Sequence, residues 1–193
     1  MKTLLRRHVL IFSLGIACWL LFVSTGICQT IQKLDDMYGF RDLEFGQSLA
    51  SIRNLAIIST DATTKNTLGK RSSDELVFAG TSLTGITYNF FDGKLYMVIL
   101  NYDLPKVGGA ITGNGNIQRF LRSEYGKETT NNAAGTTIVL AWEGKRVRLN
   151  HLETTGLDNV EGFIRMESKA LFEESKKFHA EVLRQQGRKM PVP

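Results

Sequence analysis

Apolar side chains recur at every second position in two stretches of the chain, and each stretch straddles a turn ending in glycine. In TGITYNFFDGKLYMVILNY, Asp92-Gly93 supplies two residues that tolerate the positive φ of a type I′ turn. A two-residue turn there pairs Phe90 with Leu95, Tyr88 with Met97 and Ile86 with Ile99, all apolar and all on one face. A slip of one residue destroys that agreement, so the spacing predicts this register. The other face of the return strand, carrying Tyr96, Val98, Leu100 and Tyr102, is apolar as well. An antiparallel strand facing water is more polar than that, so the pattern predicts a cover. The second stretch, TIVLAWEGKRVRLNHL, turns at Glu143-Gly144. It pairs Leu140 with Val147 and Ile138 with Leu149, with Trp142 on the same face and Val139, Arg146 and Arg148 on the other.

Helical spacing appears twice. Ile117, Phe120, Leu121 and Tyr125 follow Asn116, a good N-cap, and precede Gly126, which suits a left-handed C-cap. Leu171, Phe178 and Val182 form a stripe in the charged segment from Ala170 to Gln186. That helix is the chain's own candidate to cover the Tyr96 face, and a partner is the alternative. Shorter signals fill in the rest. Phe40, Leu43 and Phe45 mark a strand ending at Gly46, and Ser48 caps a short helix reaching Leu55. Ser59 to Asp74 reads as a long polar loop, with a small strand near Leu76 to Phe78. Gly162 to Ala170 reads as a strand with Ile164, Met166 and Ala170 inward, and Gln29 to Tyr38 as an irregular lead-in. A helix followed by a hairpin thus occurs at residues 47–102 and again at 116–152. The predicted class is α+β: an antiparallel sheet built from helix–hairpin units with helices packed on it, plus a C-terminal helix. The predicted division is a signal peptide at 1–28, the lead-in at 29–38, one domain at 39–170, and a C-terminal helix and tail at 171–193.

The first residues change where this domain is expected to work. Lys2, Arg6 and Arg7 precede an apolar run from Val9 to Val23, then Ser24, Thr25 and Gly26 lead to Cys28. That order is the export-signal pattern, with cleavage after Cys28, and it implies a periplasmic or secreted protein. Val9 to Ile27 also lies within the lower length range of a bilayer span, so an uncleaved anchor is the alternative. Contact with the membrane is expected only through this segment. Arg6-Arg7 partly matches a twin-arginine signal but lacks the polar residue before it, and neither Cys18 nor Cys28 sits in a good lipobox.

Removing the leader leaves 165 residues with no cysteine, which excludes disulfides, thiol nucleophiles and cysteine-based metal sites. It also leaves 21 basic against 19 acidic side chains, a net of +2, so the compositional case for nucleic-acid binding disappears.

GFRDLEFGQSLASI, LTGITYNFFDGKLYMVIL, IQRFLRSEYGK and the tryptophan hairpin, in that order, resemble a loose group of small exported bacterial proteins of unassigned activity. The resemblance spans residues 39–170 and rests on strand, cap and turn signatures. The helix-plus-hairpin architecture is also similar to the β-lactamase-inhibitor-protein and outer-membrane-assembly lipoprotein folds. Neither resemblance implies a site residue.

Catalytic constellations are missing. TGNGNIQRFLRSEYG opens on Gly113 and Gly115, but Gln118 stands where a dinucleotide loop needs its third glycine and no Walker-type lysine follows, so this stretch starts a helix. His151 and His179 lack metal-ligand spacing, and Ser48, Ser82 and Ser168 lack a nucleophile elbow. No catalytic residue, cofactor or metal is assigned. Recognition is the remaining theme. Tyr96 and Val98 on the doubly apolar strand, and Arg146, Arg148, Arg165 and Lys169 on neighbouring strand faces, are the candidate partner-binding residues. The expected function is an exported non-enzymatic interaction module meeting another protein or an anionic envelope component. The alternatives are a small hydrolase using carboxylates and a small-ligand carrier. A shallow open sheet face marks the first, converging carboxylates in a deep pocket the second, and an enclosed apolar cavity the third.

Overall fold

The structure, a computed structural model, describes residues 25–107, 110–111 and 114–187. The basic start and most of the apolar leader, together with Gly113 and the tail at 188–193, lie outside the described residues. Three helices are described: α1 (Thr25–Met37), α2 (Asn114–Tyr125) and α3 (Lys169–Gln185). The strands run β1 (Gly39–Phe40), β2 (Leu43–Glu44), β3 (Leu55–Asp61), β4 (Asn66–Arg71), β5 (Val77–Phe78), β6 (Thr81–Ser82) and β7 (Gly85–Phe91). They continue as β8 (Lys94–Val107), β9 (Ala110–Ile111), β10 (Thr130–Ala134), β11 (Thr137–Glu143), β12 (Val147–Thr155) and β13 (Asn159–Ser168). One nine-stranded antiparallel sheet dominates, in the order β10-β11-β12-β13-β8-β7-β4-β3 with β9 beside β8. The protein is therefore α+β, as its patterning predicts.

The larger core lies on the first face of the sheet. Leu34 from α1, Phe40 and Leu43 from the β1-β2 ribbon, and Ile117, Leu121 and Tyr125 from α2 close over Tyr88, Val98, Leu100, Trp142, Leu149 and Ile164. The α2 cap forms as expected at its end: Gly126 takes φ +77 and its N–H donates to the Arg122 carbonyl at 3.0 Å. Trp142 Nε1 donates to the Gly126 carbonyl at 2.9 Å, which ties the second hairpin to that cap.

The first hairpin turns where predicted, with Asp92 at φ 49 and Gly93 at φ 74. Its register differs. Phe90 opposes Leu95, but the pairing then shifts, so that Asn89 faces Met97, Tyr88 faces Val98 and Ile86 faces Leu100. The bulge makes Tyr96 the extra residue of β8 and exchanges the two faces beyond it. Val98, Leu100 and Tyr102 enter the larger core, while Tyr96, Met97 and Ile99 face the second side. Because both faces of this strand are apolar, the exchange exposes nothing, and alternation had no power to forbid it.

The second hairpin also departs from the predicted register, without consequence for its faces. Trp142 opposes Leu149, Leu140 opposes His151 and Ile138 opposes Glu153. A longer connection displaces the pairing by four residues, an even number, so Leu140, Trp142, Val147 and Leu149 still point inward. Asp35 holds that connection. Its carboxylate accepts from the backbone N–H groups of Lys145 (2.6 Å), Arg146 (2.7 Å) and Val147 (2.9 Å). Gly144 is required beneath it, since a Cβ there would come within 2.4 Å of Asp35 Oδ1. Burial works against the charge of Asp35, yet the three amides outweigh it and hold the carboxyl below the usual carboxylate range.

Other expectations are corrected. The irregular lead-in at Gln29 to Tyr38 is helical to Met37, and α1 runs without a break across the Cys28–Gln29 junction. Ser48 makes no side-chain cap; only Leu49–Ser51 coil, and Asn54 at φ 58 turns the chain into β3. The long polar loop at Ser59 to Asp74 is largely the β3–β4 hairpin, whose turn is held by Asp61 accepting from Thr63 N at 2.9 Å and Thr64 Oγ1 at 2.7 Å. Ala170 belongs to α3 rather than to the end of β13.

α3 does cover one face of β8, but of Tyr96, Val98, Leu100 and Tyr102 only Tyr96 lies beneath it, the bulge having put Met97 and Ile99 there instead. Ser168 caps α3, its Oγ accepting from Leu171 N at 3.5 Å, and Leu171, Phe172 and Phe178 pack on Phe91, Tyr96, Met97 and Ile99. His179 fastens the far end, with Nε2 at 3.0 Å from Asn66 Nδ2 and 3.1 Å from the Thr64 carbonyl.

Candidate functional site

The residues singled out from sequence do not form one surface. Val98 is buried in the larger core and Tyr96 lies beneath α3, so neither is presented to a partner in this fold. Arg146 stacks over the Tyr38 ring at 3.8 Å from its centroid, away from Arg148. Arg148 reaches Glu143 at 2.5 Å and Glu167 at 2.8 Å, and Lys169 reaches Glu143 at 3.2 Å. Arg165 Nε stands 3.1 Å from Glu167, near enough for ion pairing but poorly aligned for a hydrogen bond. The expected pairing of β12 with β13 does gather Arg148, Arg165 and Lys169, but around two carboxylates. Burial pushes the Glu167 carboxyl above its ordinary value, and the neighbouring arginines pull it back only in part. The arrangement is a part-buried ion network around Glu143 and Glu167 rather than an open cationic face.

A second polar cluster lies on the first face. The Tyr102 hydroxyl is 2.7 Å from His151 Nε2 and donates to Glu153 Oε2 at 3.0 Å. Gly162 admits the ring, because a Cβ there would approach the Tyr102 oxygen to 2.2 Å. All three side chains are buried. Burial pulls the His151 pKa down to about 4, with the Arg122 charge adding to the effect, so the imidazole is neutral at neutral pH. Burial likewise pushes the Tyr102 phenol up, and the Glu153 charge assists. With its three side chains buried, the cluster cross-links β8 to β12. His151 and His179 lie on opposite sides of the sheet, which removes a shared metal site. Among the described residues, no group of three or more His, Cys, Asp and Glu side chains is placed to hold an ion.

What remains open is the half of the second face that α3 leaves uncovered. There the sheet forms a shallow concavity of about 460 Å³ lined by Asn101, Asp103, Leu152, Thr154, Glu161 and Phe163, with Thr84 at its margin. None of these residues comes from a helix. Leu152 and Phe163 are direct cross-strand neighbours and both are only half-buried. Asp103 and Glu161 also stand opposite one another, an unfavourable like-charge pair bridged by Asn159, whose Nδ2 donates to each at 3.0 Å. Sequence reasoning passed over all of these residues. The available signal was alternation in β12, where Leu149, His151 and Glu153 point inward and Asn150, Leu152 and Thr154 point outward.

No helix among the described residues is long and apolar enough to cross a membrane. Comparison with protein-family models, with curated proteins and with solved structures finds no match to this chain.

Proposed function

We propose that this chain is an exported, non-enzymatic interaction module of the bacterial cell envelope that binds another protein through the open half of its second sheet face. The observation that carries this reading is the shallow concavity itself: apolar Leu152 and Phe163 side by side, next to a polar row of Thr154, Glu161 and Asp103 and with Asn101 beside Phe163. A half-exposed apolar pair bordered by polar groups suits protein recognition. A hydrolase using carboxylates is less well supported, because Asp103 and Glu161 lie on an open surface rather than in a deep pocket. A carrier is less well supported because the concavity is not enclosed. An anionic envelope component loses its main attraction now that Glu143 and Glu167 pair with Arg148, Arg165 and Lys169. In this reading residues 116–152 are the module's helix–hairpin unit. The leader then directs the protein to the periplasm or beyond, with cleavage near Cys28.

The test is capture from an envelope extract by the wild type and by a Leu152→Ala/Phe163→Ala variant of unchanged melting temperature, followed by mass spectrometry. A partner that depends on the two side chains supports the reading. Identical captures by both proteins refute it. Intact-mass measurement on the envelope fraction tests the localisation: a chain retaining residues 1–28 in the membrane pellet is anchored instead.

A further inference from the structure

β3 is the outermost strand of the sheet on the β4 side, and among the described residues no strand lies beside its outer row of backbone groups. Six of its seven residues are exposed, and Ile57 and Ile58 present 48% and 53% of their surface. Sheet edges are ordinarily blunted by lysine, proline, inward charge, a bulge or a covering element. The run LAIISTD contains neither lysine nor proline, and α3 leaves it bare. Among the described residues, the protective device present is a bulge between Ile57 and Ser59. The opposite edge, β10, is different: five residues, TNNAA, without charge or large apolar side chains.

We propose that β3 is a homotypic docking edge, on which a second copy of this chain adds its own β3 antiparallel and extends the sheet across a two-fold axis. The charges flanking the strand choose the occupant and its direction. Arg53 lies just before β3 and Asp61 ends it, and both are exposed. An antiparallel copy brings Arg53 of each chain to the Asp61 end of the other, with Ile57 near the axis and the Ile57 and Ile58 side chains of both chains gathered at the centre. A parallel arrangement would place arginine on arginine and aspartate on aspartate. Pairing β3 with β10 would give Ile57 and Ile58 nothing apolar to meet, and repeated head-to-tail it would grow a fibre rather than close. The bulge interrupts the ladder near its middle, so the contact is short and the dimer reversible. This edge is separate from the open second face and independent of the partner proposed there.

Sedimentation velocity on the protein recovered from cells, over a wide concentration range, tests the proposal. A monomer–dimer equilibrium is expected, and Ile57→Lys/Ile58→Lys weakens it at least about tenfold by setting like charges face to face. Since both side chains are exposed, the melting temperature of the dilute monomer stays unchanged. In a Cys18→Ser/Cys28→Ser background, single cysteines at Ile57, Ile58 and Ser59 locate the axis. The position nearest it forms a reducible dimer, whereas Lys70→Cys on β4 does not. A chain that is monomeric throughout overturns the proposal. So does a dimer untouched by the lysine pair, or cross-linking at Lys70→Cys as ready as at the β3 positions.

Discussion

The two long hairpins were displaced from their expected registers by different amounts, and only one displacement mattered to the interior. Around Asp92-Gly93 a single extra residue, Tyr96, moved Val98, Leu100 and Tyr102 into the larger core and Met97 and Ile99 out of it. Around Glu143-Gly144 the pairing moved by four residues, and no side chain changed sides. Parity decides, since side chains alternate with period two. What permitted the odd displacement is equally physical. Around the bulge, from Leu95 to Leu100, β8 is covered by the larger core on one face and by α3 on the other, so neither face penalises the extra residue. β12 carries Arg148, Asn150 and Thr154 on one side and Val147 and Leu149 on the other, and an odd shift would have buried the polar set.

The sharpest way to break this comparison is Val98→Asp against Ile99→Asp. Val98→Asp places an unpaired charge in the larger core and should cost roughly 4 kcal/mol or more, enough to unfold many domains of this size. Ile99→Asp lies on the half-open second face and should cost about 1–2 kcal/mol. Urea titration of both variants reads the difference, and the reverse ranking would restore the bulge-free register. Next in size is removal of α3 by ending the chain after Ala170. Losing the cover over Phe91, Tyr96 and Met97 should cost roughly 3 kcal/mol, with stronger dye binding and self-association. A truncated protein that stays equally stable and dye-silent would deny α3 its role.

For the second hairpin the test is Asp35→Ala, which strands three backbone donors and should cost about 2 kcal/mol in chemical denaturation. No loss would mean that the Gly144 connection holds its own shape. The smallest effect is a pH dependence from His151. Its folded pKa of about 4 lies below the usual histidine value, so between those limits the unfolded chain binds more protons. The contribution is complete above about pH 6.5 and declines as pH falls toward 4, by about 1.4 kcal/mol at pH 5.5. His151→Gln should flatten that part of the profile, and an unchanged slope would show the imidazole already charged in the fold.

Much of the architecture was legible from local chemistry. Asn116 to Gly126 carries its helix together with its stop, Asp92-Gly93 carries its turn, and the apolar surplus on KLYMVILNY announced a cover that Leu171 and Phe178 provide. Features without a local signal escaped. β3 is exposed on both faces, so its residues show no alternation to read. The length of the second turn depends on Asp35, more than a hundred residues upstream. Beyond Cys28, α1 has only Ile31, Leu34 and Met37 as apolar side chains, too short a pattern to stand out as a helix. The open concavity went unseen for a related reason: Asn101, Asp103, Leu152 and Phe163 are ordinary strand residues until β8, β12 and β13 lie side by side with α3 seated elsewhere.

The Asp35 clasp has a further consequence, in the order in which the chain is made. Asp35 is among the first residues of the domain to be synthesised, and its amide partners follow 110 to 112 positions later. Until Lys145 to Val147 are present, the carboxylate has none of the donors that hold it at the domain's interior. The Asp35 clasp therefore closes late, once β11 is complete and β12 has begun. A nascent chain stalled before Lys145 lacks that clasp and holds α1 only through earlier-made partners, such as Glu124 for Lys33 and the Ile117–Leu121 face of α2 for Leu34.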